Sequence, residues 1–238
     1  PEFDINGVDA GHKLALLTAL AFETKPDFSS VSVEGISNIS ELDIRFADEL
    51  GYRIKLLGIA RKGPEGTQQS VRPCMIPIEL PMANVDGVFN AIAFQGDDTG
   101  PVLLEGRGAG AGPTASAVIA DLSDLARGLR LPTFGVPIKE LKLGNPASED
   151  TAVGRFYVRL MVLDRPGVFA DVAAILREQD VSMEAILQRT RAPGAPVPVV
   201  MTTHEVNQLA IKKAIDQFLS LDTVLEEPRI IKIENLSL

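Results

Sequence analysis

The sequence holds one cysteine in 238 residues, Cys74, so no internal disulfide can form and a reducing compartment is the simplest setting. It has two histidines, His12 and His204, and with a lone cysteine no cluster at metal-ligand spacing can be drawn; no metal site is expected. There is no Gly-x-Ser-x-Gly nucleophile elbow. Apolar runs fall well short of the roughly 20 residues that cross a bilayer. No secretory leader is visible at Pro1, so a cytoplasmic chain without a membrane partner is expected. Positive charge is in deficit. Lys and Arg number 23 against 32 Asp and Glu, and the formal charge of −9 has the wrong sign for a general binder of nucleic-acid phosphates. Solubility is the plain reading of that charge. No internal repeat and no low-complexity tract breaks the chain.

What is present is ordinary globular material, 45% hydrophobic and 23% charged, and long enough to bury a core without disulfides. Leu14, Leu17, Leu20 and Ala21 recur at helical spacing, predicting a helix from Asp9 to Thr24 that Pro26 stops. Ser40-Glu-Leu-Asp43 reads as a capping box with Asp in place of Glu, opening a helix that ends near Gly51. Strands are predicted at Tyr52–Ala60, Val71–Leu80, Gly87–Phe94 and, briefly, Val102–Leu104. Pro73 and Pro77 predict that the Val71 strand is an edge or is interrupted. Gly112 to Gly128 reads as a helix with Pro113 in its first turn. Residues 132–154 are dense in Pro and Gly and read as a linker. Beyond it, Arg155 to Leu238 reads β-α-β-β-α-β, the ferredoxin-like order.

Two places carry chemistry. The first is Asp4-Ile-Asn-Gly7-Val-Asp9-Ala-Gly-His-Lys13-Leu at the mouth of the first helix. Asp9 and Lys13, four apart, share a helix face. Spacing alone favours a capping aspartate paired with a surface lysine, such pairs being common on helix surfaces, over two carboxylates and a cation ready to receive a small polar substrate. The second is Gly106-Arg-Gly108-Ala-Gly110-Ala-Gly112-Pro-Thr114-Ala. It formally fits a dinucleotide fingerprint, but it lies late in the chain, no second βαβ unit follows, and no acidic residue closes a strand some 20 residues on. A proline also sits inside the match, and a tight turn packing a helix on a strand is the better reading of the pattern alone.

The Asp4 to Lys13 run resembles the active-site signature of homoserine dehydrogenases. Val33-Glu-Gly-Ile36, Glu49-Leu-Gly-Tyr52-Arg-Ile-Lys55, Asn90-Ala-Ile92 and the Gly106 to Asp121 stretch are similar to that family's downstream text. The resemblance covers about residues 1–130. It implies interconversion of aspartate 4-semialdehyde and L-homoserine with NAD(P), with Lys13 as acid/base, Asp4 and Asp9 at the substrate, and Gly110 touching the cofactor. It also implies that the helix after Gly112 packs on a nucleotide domain, so that here Val118, Leu122 and Leu125 should lie exposed. No cofactor is expected on this polypeptide alone, which should be catalytically silent. The choice between NAD and NADP is not legible.

Arg155-Phe-Tyr-Val-Arg-Leu-Met-Val-Leu-Asp164-Arg-Pro166-Gly167-Val168 resembles an ACT domain. That implies an amino-acid effector, with threonine the natural candidate, held by Asp164, Pro166, Gly167 and Val168. A pure dimerisation module is the alternative. The expected fold is α+β: a homoserine dehydrogenase-type catalytic domain over residues 1–131, a mixed sheet with helices on one face; a linker over 132–154; and a ferredoxin-like ACT regulatory domain over 155–238. A homodimer or homotetramer is expected. The rival to the enzyme reading is a non-catalytic, amino-acid-binding regulatory dimer.

Overall fold

The computed structural model describes residues 2–189 and 191–236, so the expected module ends at Pro1 and Leu238 lie outside the described residues. A one-turn helix α1 (Glu2–Ile5) leads into α2 (Val8–Phe22). Then come β1 (Val31–Val33), α3 (Glu41–Glu49), and the long hairpin β2 (Tyr52–Gly63) and β3 (Gly66–Pro77). A second hairpin, β4 (Phe89–Gly96) and β5 (Gly100–Arg107), precedes α4 (Ala111–Ala126). The remainder is β6 (Val153–Leu163), α5 (Val168–Glu178), β7 (Met183–Leu187), β8 (Pro196–Thr203), the short β9 (Val206–Asn207), α6 (Gln208–Phe218) and β10 (Arg229–Ile233).

Pairing joins the two halves. The sheet runs β1-β3-β10-β6-β8-β7, with β2 along the other side of β3. The last four of these strands form the ferredoxin-like sheet, and its β10 lies parallel to β3 at Lys232↔Cys74 and Ile233↔Met75. Strand alternation then sorts the core into two faces. Phe156, Val158, Leu160 and Val162 of β6 point toward α5 and α6, packing with Val172, Leu176, Ile211 and Phe218. Tyr157 points the other way, with Met75, Ile231, Ile233 and the α3 residues Phe46 and Ala47. On that same face Leu14 and Ala15 of α2 pack on Val31 and Val71. The first module is thus a mixed sheet with helices on one face, and its α3 covers the face of the ACT sheet that α5 and α6 leave open.

One expectation is corrected. The Val71 strand is neither an edge nor interrupted: β3 is twelve residues long, paired with β2 throughout and flanked by β1 and β10. The reason lies in the seam beside it. The carbonyls of Val71 and Met75 accept from Glu34 and Glu234 N–H at 2.7 and 2.9 Å, so odd-numbered residues of β3 face β1 and β10. Pro73 falls between the end of β1, at Val71, and the first β10 pair, at Cys74. Its missing N–H therefore falls where the neighbour of β3 changes, outside the registered pairs of either strand. The Val102 strand also proves longer than expected, because all eight residues of β5 pair with β4.

Residues 132–154 hug the body. Lys25 and Lys142 N–H donate to the carbonyls of Lys142 and Glu23 at 2.9 and 3.1 Å, Thr67 bonds Asn145 and Ala147, and Arg72 pairs with Glu149. By contrast α4 buries none of its residues, and Val118, Leu122 and Leu125 are exposed as expected. No described helix is long and apolar enough to cross a membrane.

Candidate functional site

The candidate site residues Asp4, Asp9 and Lys13 lie where α1 breaks into α2. Gly7 makes the break at φ 76°, in the left-handed region that glycine alone adopts without strain. A Cβ there would also sit 3.0 Å from Val71 Cγ1, so the turn is pressed onto β3. Asp9 lies in the first turn of α2, where the helix dipole favours a carboxylate. Lys13 Nζ donates to Asp9 Oδ2 at 2.5 Å, one turn on. The lysine side chain is 69% exposed and the aspartate 39%, so the pair faces solvent yet is oriented. Such a pair adds at most about 1 kcal/mol to stability. Asp4, on α1, is exposed, and its carboxylate has no hydrogen-bond or ion-pair partner among the described residues.

A second segment buttresses this corner. Ile36 N–H donates to the Ile5 carbonyl at 2.9 Å, and a Cβ on Gly35 would stand 2.5 Å from that oxygen and 2.7 Å from Asn6 Cα. Only glycine lets the two backbones meet this closely. His12 is exposed, and its ring stacks between Phe3 and Phe28 with ring centroids 5.9 and 4.0 Å away.

Gly110 stands apart, at the head of α4, and among the described residues no hydrogen bond or ion pair joins it to α2. On the ACT side, Gly167 heads α5 at φ 99° without a side-chain cap, Pro166 precedes it exposed, and Val168 is buried beneath. Asp164 grips the β7–β8 loop. Its carboxylate accepts from Ala192 N–H at 2.7 Å, and its own N–H and carbonyl bond Ala195 and Gly194 at 3.0 Å.

The sequence did not point to the buried polar links between the halves. Asp43 was legible as a cap, and the structure shows that capping box with both of its bonds. It also shows Asp43 bound to Arg159 and Tyr157 of β6. Those hydrogen bonds hold its carboxyl below the usual range against burial, which pushes the other way. Glu234, also buried, accepts from Arg61 Nη2 at 2.6 Å and Lys232 Nζ at 3.2 Å, and is held low likewise. No sequence signal marks partners so distant.

The sequence model of the family "Homoserine dehydrogenase" matches residues 1–123, and that of "ACT domain" matches 156–223. A homoserine dehydrogenase of Neisseria gonorrhoeae is 40% identical over 242 residues, covering 99% of this chain and 56% of its own length. One from Helicobacter pylori is 39% identical over 235 residues, covering 99% and 55%. The crystal structure of a homoserine dehydrogenase from Thiobacillus denitrificans matches with a TM-score of 0.90 and 39% identity, over 100% of this chain and 55% of that one. The chain therefore spans a little over half the length of these relatives. The acidic corner lies inside the first match and the Asp164 turn inside the second, and the chain belongs to the homoserine dehydrogenase family, with an ACT domain behind its catalytic-type module.

Proposed function

We propose that this chain is the substrate-binding and regulatory part of a homoserine dehydrogenase acting in the cytoplasm, which interconverts aspartate 4-semialdehyde and L-homoserine for threonine, methionine and isoleucine synthesis. One observation carries the reading: the Lys13 ammonium is held 2.5 Å from Asp9 at the mouth of α2, with the exposed Asp4 on the helix just before it. A cation placed beside the aldehyde oxygen stabilises the alkoxide that develops there and gives it a proton; in reverse it takes the proton from the hydroxyl. Asp9 orients Lys13, and Asp4 and Asp9 together attract the substrate ammonium. NAD(P) supplies or accepts the hydride when bound.

The glycine run fits a dinucleotide as a surface for close approach. Gly110 has φ 118°, and nearest to a Cβ built there stands only Pro113 Cδ, at 3.7 Å. Its bare backbone at the start of α4 suits contact with the cofactor through Gly110. The rest of the cofactor grip requires groups outside this chain, so the 238-residue polypeptide alone should not turn over.

The ACT module is read as an amino-acid sensor with threonine as effector. The uncapped first turn of α5 presents free amides for a carboxylate beside Asp164, Pro166, Gly167 and Val168. The exposed apolar residues of α4 and the β4–β5 hairpin, Leu122 and Phe94 among them, are read as surfaces covered in a homodimer or homotetramer.

The test is steady-state kinetics on the full-length enzyme. Lys13→Ala should lower kcat roughly 10²-fold if Lys13 carries the proton. A loss confined to KM would make Lys13 a binding residue. Homoserine oxidation by the 238-residue chain alone would overturn the division of labour.

A further inference from the structure

Asp43 does more than cap a helix. It is fully buried, and its carboxylate accepts from Arg159 Nε at 2.6 Å, Arg159 Nη2 at 3.2 Å and the Tyr157 hydroxyl at 3.1 Å, besides the Ser40 hydroxyl at 2.6 Å and Ser40 N–H at 3.0 Å. The capping box uses only Oδ2, through Ser40 N–H, while Oδ1 is committed to Arg159 Nε and the Tyr157 hydroxyl. An apolar contact would hold α3 on β6 at least as tightly as a buried ion pair, whose best-attested use is to fix position.

What Asp43 fixes can be followed along the chain. Ser40 closes the segment 34–40. Within it Ile39 N–H bonds the Ile36 carbonyl at 3.0 Å, Ile36 N–H bonds the Ile5 carbonyl at 2.9 Å, and Glu34 N–H bonds the Val71 carbonyl at 2.7 Å. Ile39 and Leu42 pack against the cluster around Tyr157. Gly35 leaves no slack against Ile5 and Asn6. Ile5 and Asn6 lead directly into Gly7 and Asp9. From β6 of the ACT module to the acidic corner there is thus an unbroken series of short, directional contacts.

We propose that Asp43 is a positioning residue, which sets the Asp4, Asp9 and Lys13 corner relative to ACT strand β6 through Ser40 and the 34–40 segment. A movement of β6 reaches the site by this route. The chemistry at the far end rests on the dehydrogenase reading; the linkage does not.

The experiment uses the full-length enzyme with Asp43→Asn and, separately, Tyr157→Phe, which removes a single hydroxyl and keeps the packing. Amide hydrogen exchange and homoserine kinetics are measured on each. Exchange should accelerate within 34–40 and 4–13, and KM for homoserine should rise about fivefold in Asp43→Asn with kcat within about twofold, Tyr157→Phe shifting less in the same direction. A cap alone would quicken exchange only in α3 and β6, and that result, or an unchanged KM, overturns the proposal. If Asp43→Asn does not fold, Tyr157→Phe decides by the same two readouts. A wild-type enzyme with no homoserine-dependent turnover sinks the dehydrogenase reading instead, and the exchange pattern then decides the linkage by itself.

Discussion

Gly35→Ala tests the buttress of the site in one atom. The added Cβ would stand 2.5 Å from the Ile5 carbonyl oxygen and 2.7 Å from Asn6 Cα, both backbone atoms that no rotamer change can move aside. Ordinary contact lies near 3.5 Å, so one backbone must retreat by about 1 Å. Overpacking of this kind costs about 1–3 kcal/mol, and for a chain of this length each kcal/mol lowers Tm by roughly 2–4 °C. Where the Ile5–Asn6 backbone yields, Asp4, Asp9 and Lys13 move with it, and if they hold the substrate as proposed a 1 Å misplacement costs up to about 10²-fold in rate. Gly144→Ala is the control, because a Cβ there meets nothing within 4 Å. Far-ultraviolet circular dichroism reports the unfolding, since the chain has no tryptophan, and kcat/KM for homoserine in the full-length enzyme reports the site. Gly35→Ala matching the control in both measurements would refute the claim that 34–36 holds the corner in place.

Three further outcomes follow from the same contacts. Lys13→Ala should change the midpoint of urea unfolding by less than about 1 kcal/mol, since its pair with Asp9 is exposed, so a large stability loss would show that any kinetic effect was unfolding. Asp43 has a folded pKa below its unfolded value of 3.8, so its stabilisation is present above pH 4 and is lost as pH falls through the folded value; Asp43→Asn, costing about 3–5 kcal/mol at neutral pH, should flatten the acid limb of a stability profile, and an unaltered limb would refute the pairing. Burial pushes the Cys74 thiol up to about 12, so alkylation at pH 8 should proceed only as fast as the chain unfolds; rapid labelling of the folded protein would show that β3 opens locally.

Local physics made much of the chain legible. Leucines at three- and four-residue spacing named α2, and it ends within two residues of the predicted limit at Thr24. Ser40 and Asp43 announced α3 because a capping box needs only the four residues it contains. The Asp4 to Lys13 run pointed to its family because the motif is compressed into ten consecutive residues, and a one-turn offset within one helix fixes the Asp9–Lys13 contact wherever the helix sits.

What the sequence left open was settled by neighbours far away in the chain. Pro73 read as an edge signal because proline forfeits a donor, yet it is central, at the point where the partner of β3 changes from β1 to β10. Asp43 read as a cap, yet its carboxylate also holds Arg159, 116 residues away, because β10 joins β3 and brings β6 under α3. Gly35 read only as one letter of a family motif, and its physical reason appeared when the Ile5 carbonyl lay against it. Periodicity, caps and short motifs are properties of residues that touch by being consecutive, so the sequence determines them by itself. Which strand lies beside β3, and which charge enters the space it encloses, is a property of burial shared by the whole sheet, and only the closed tertiary structure decides it.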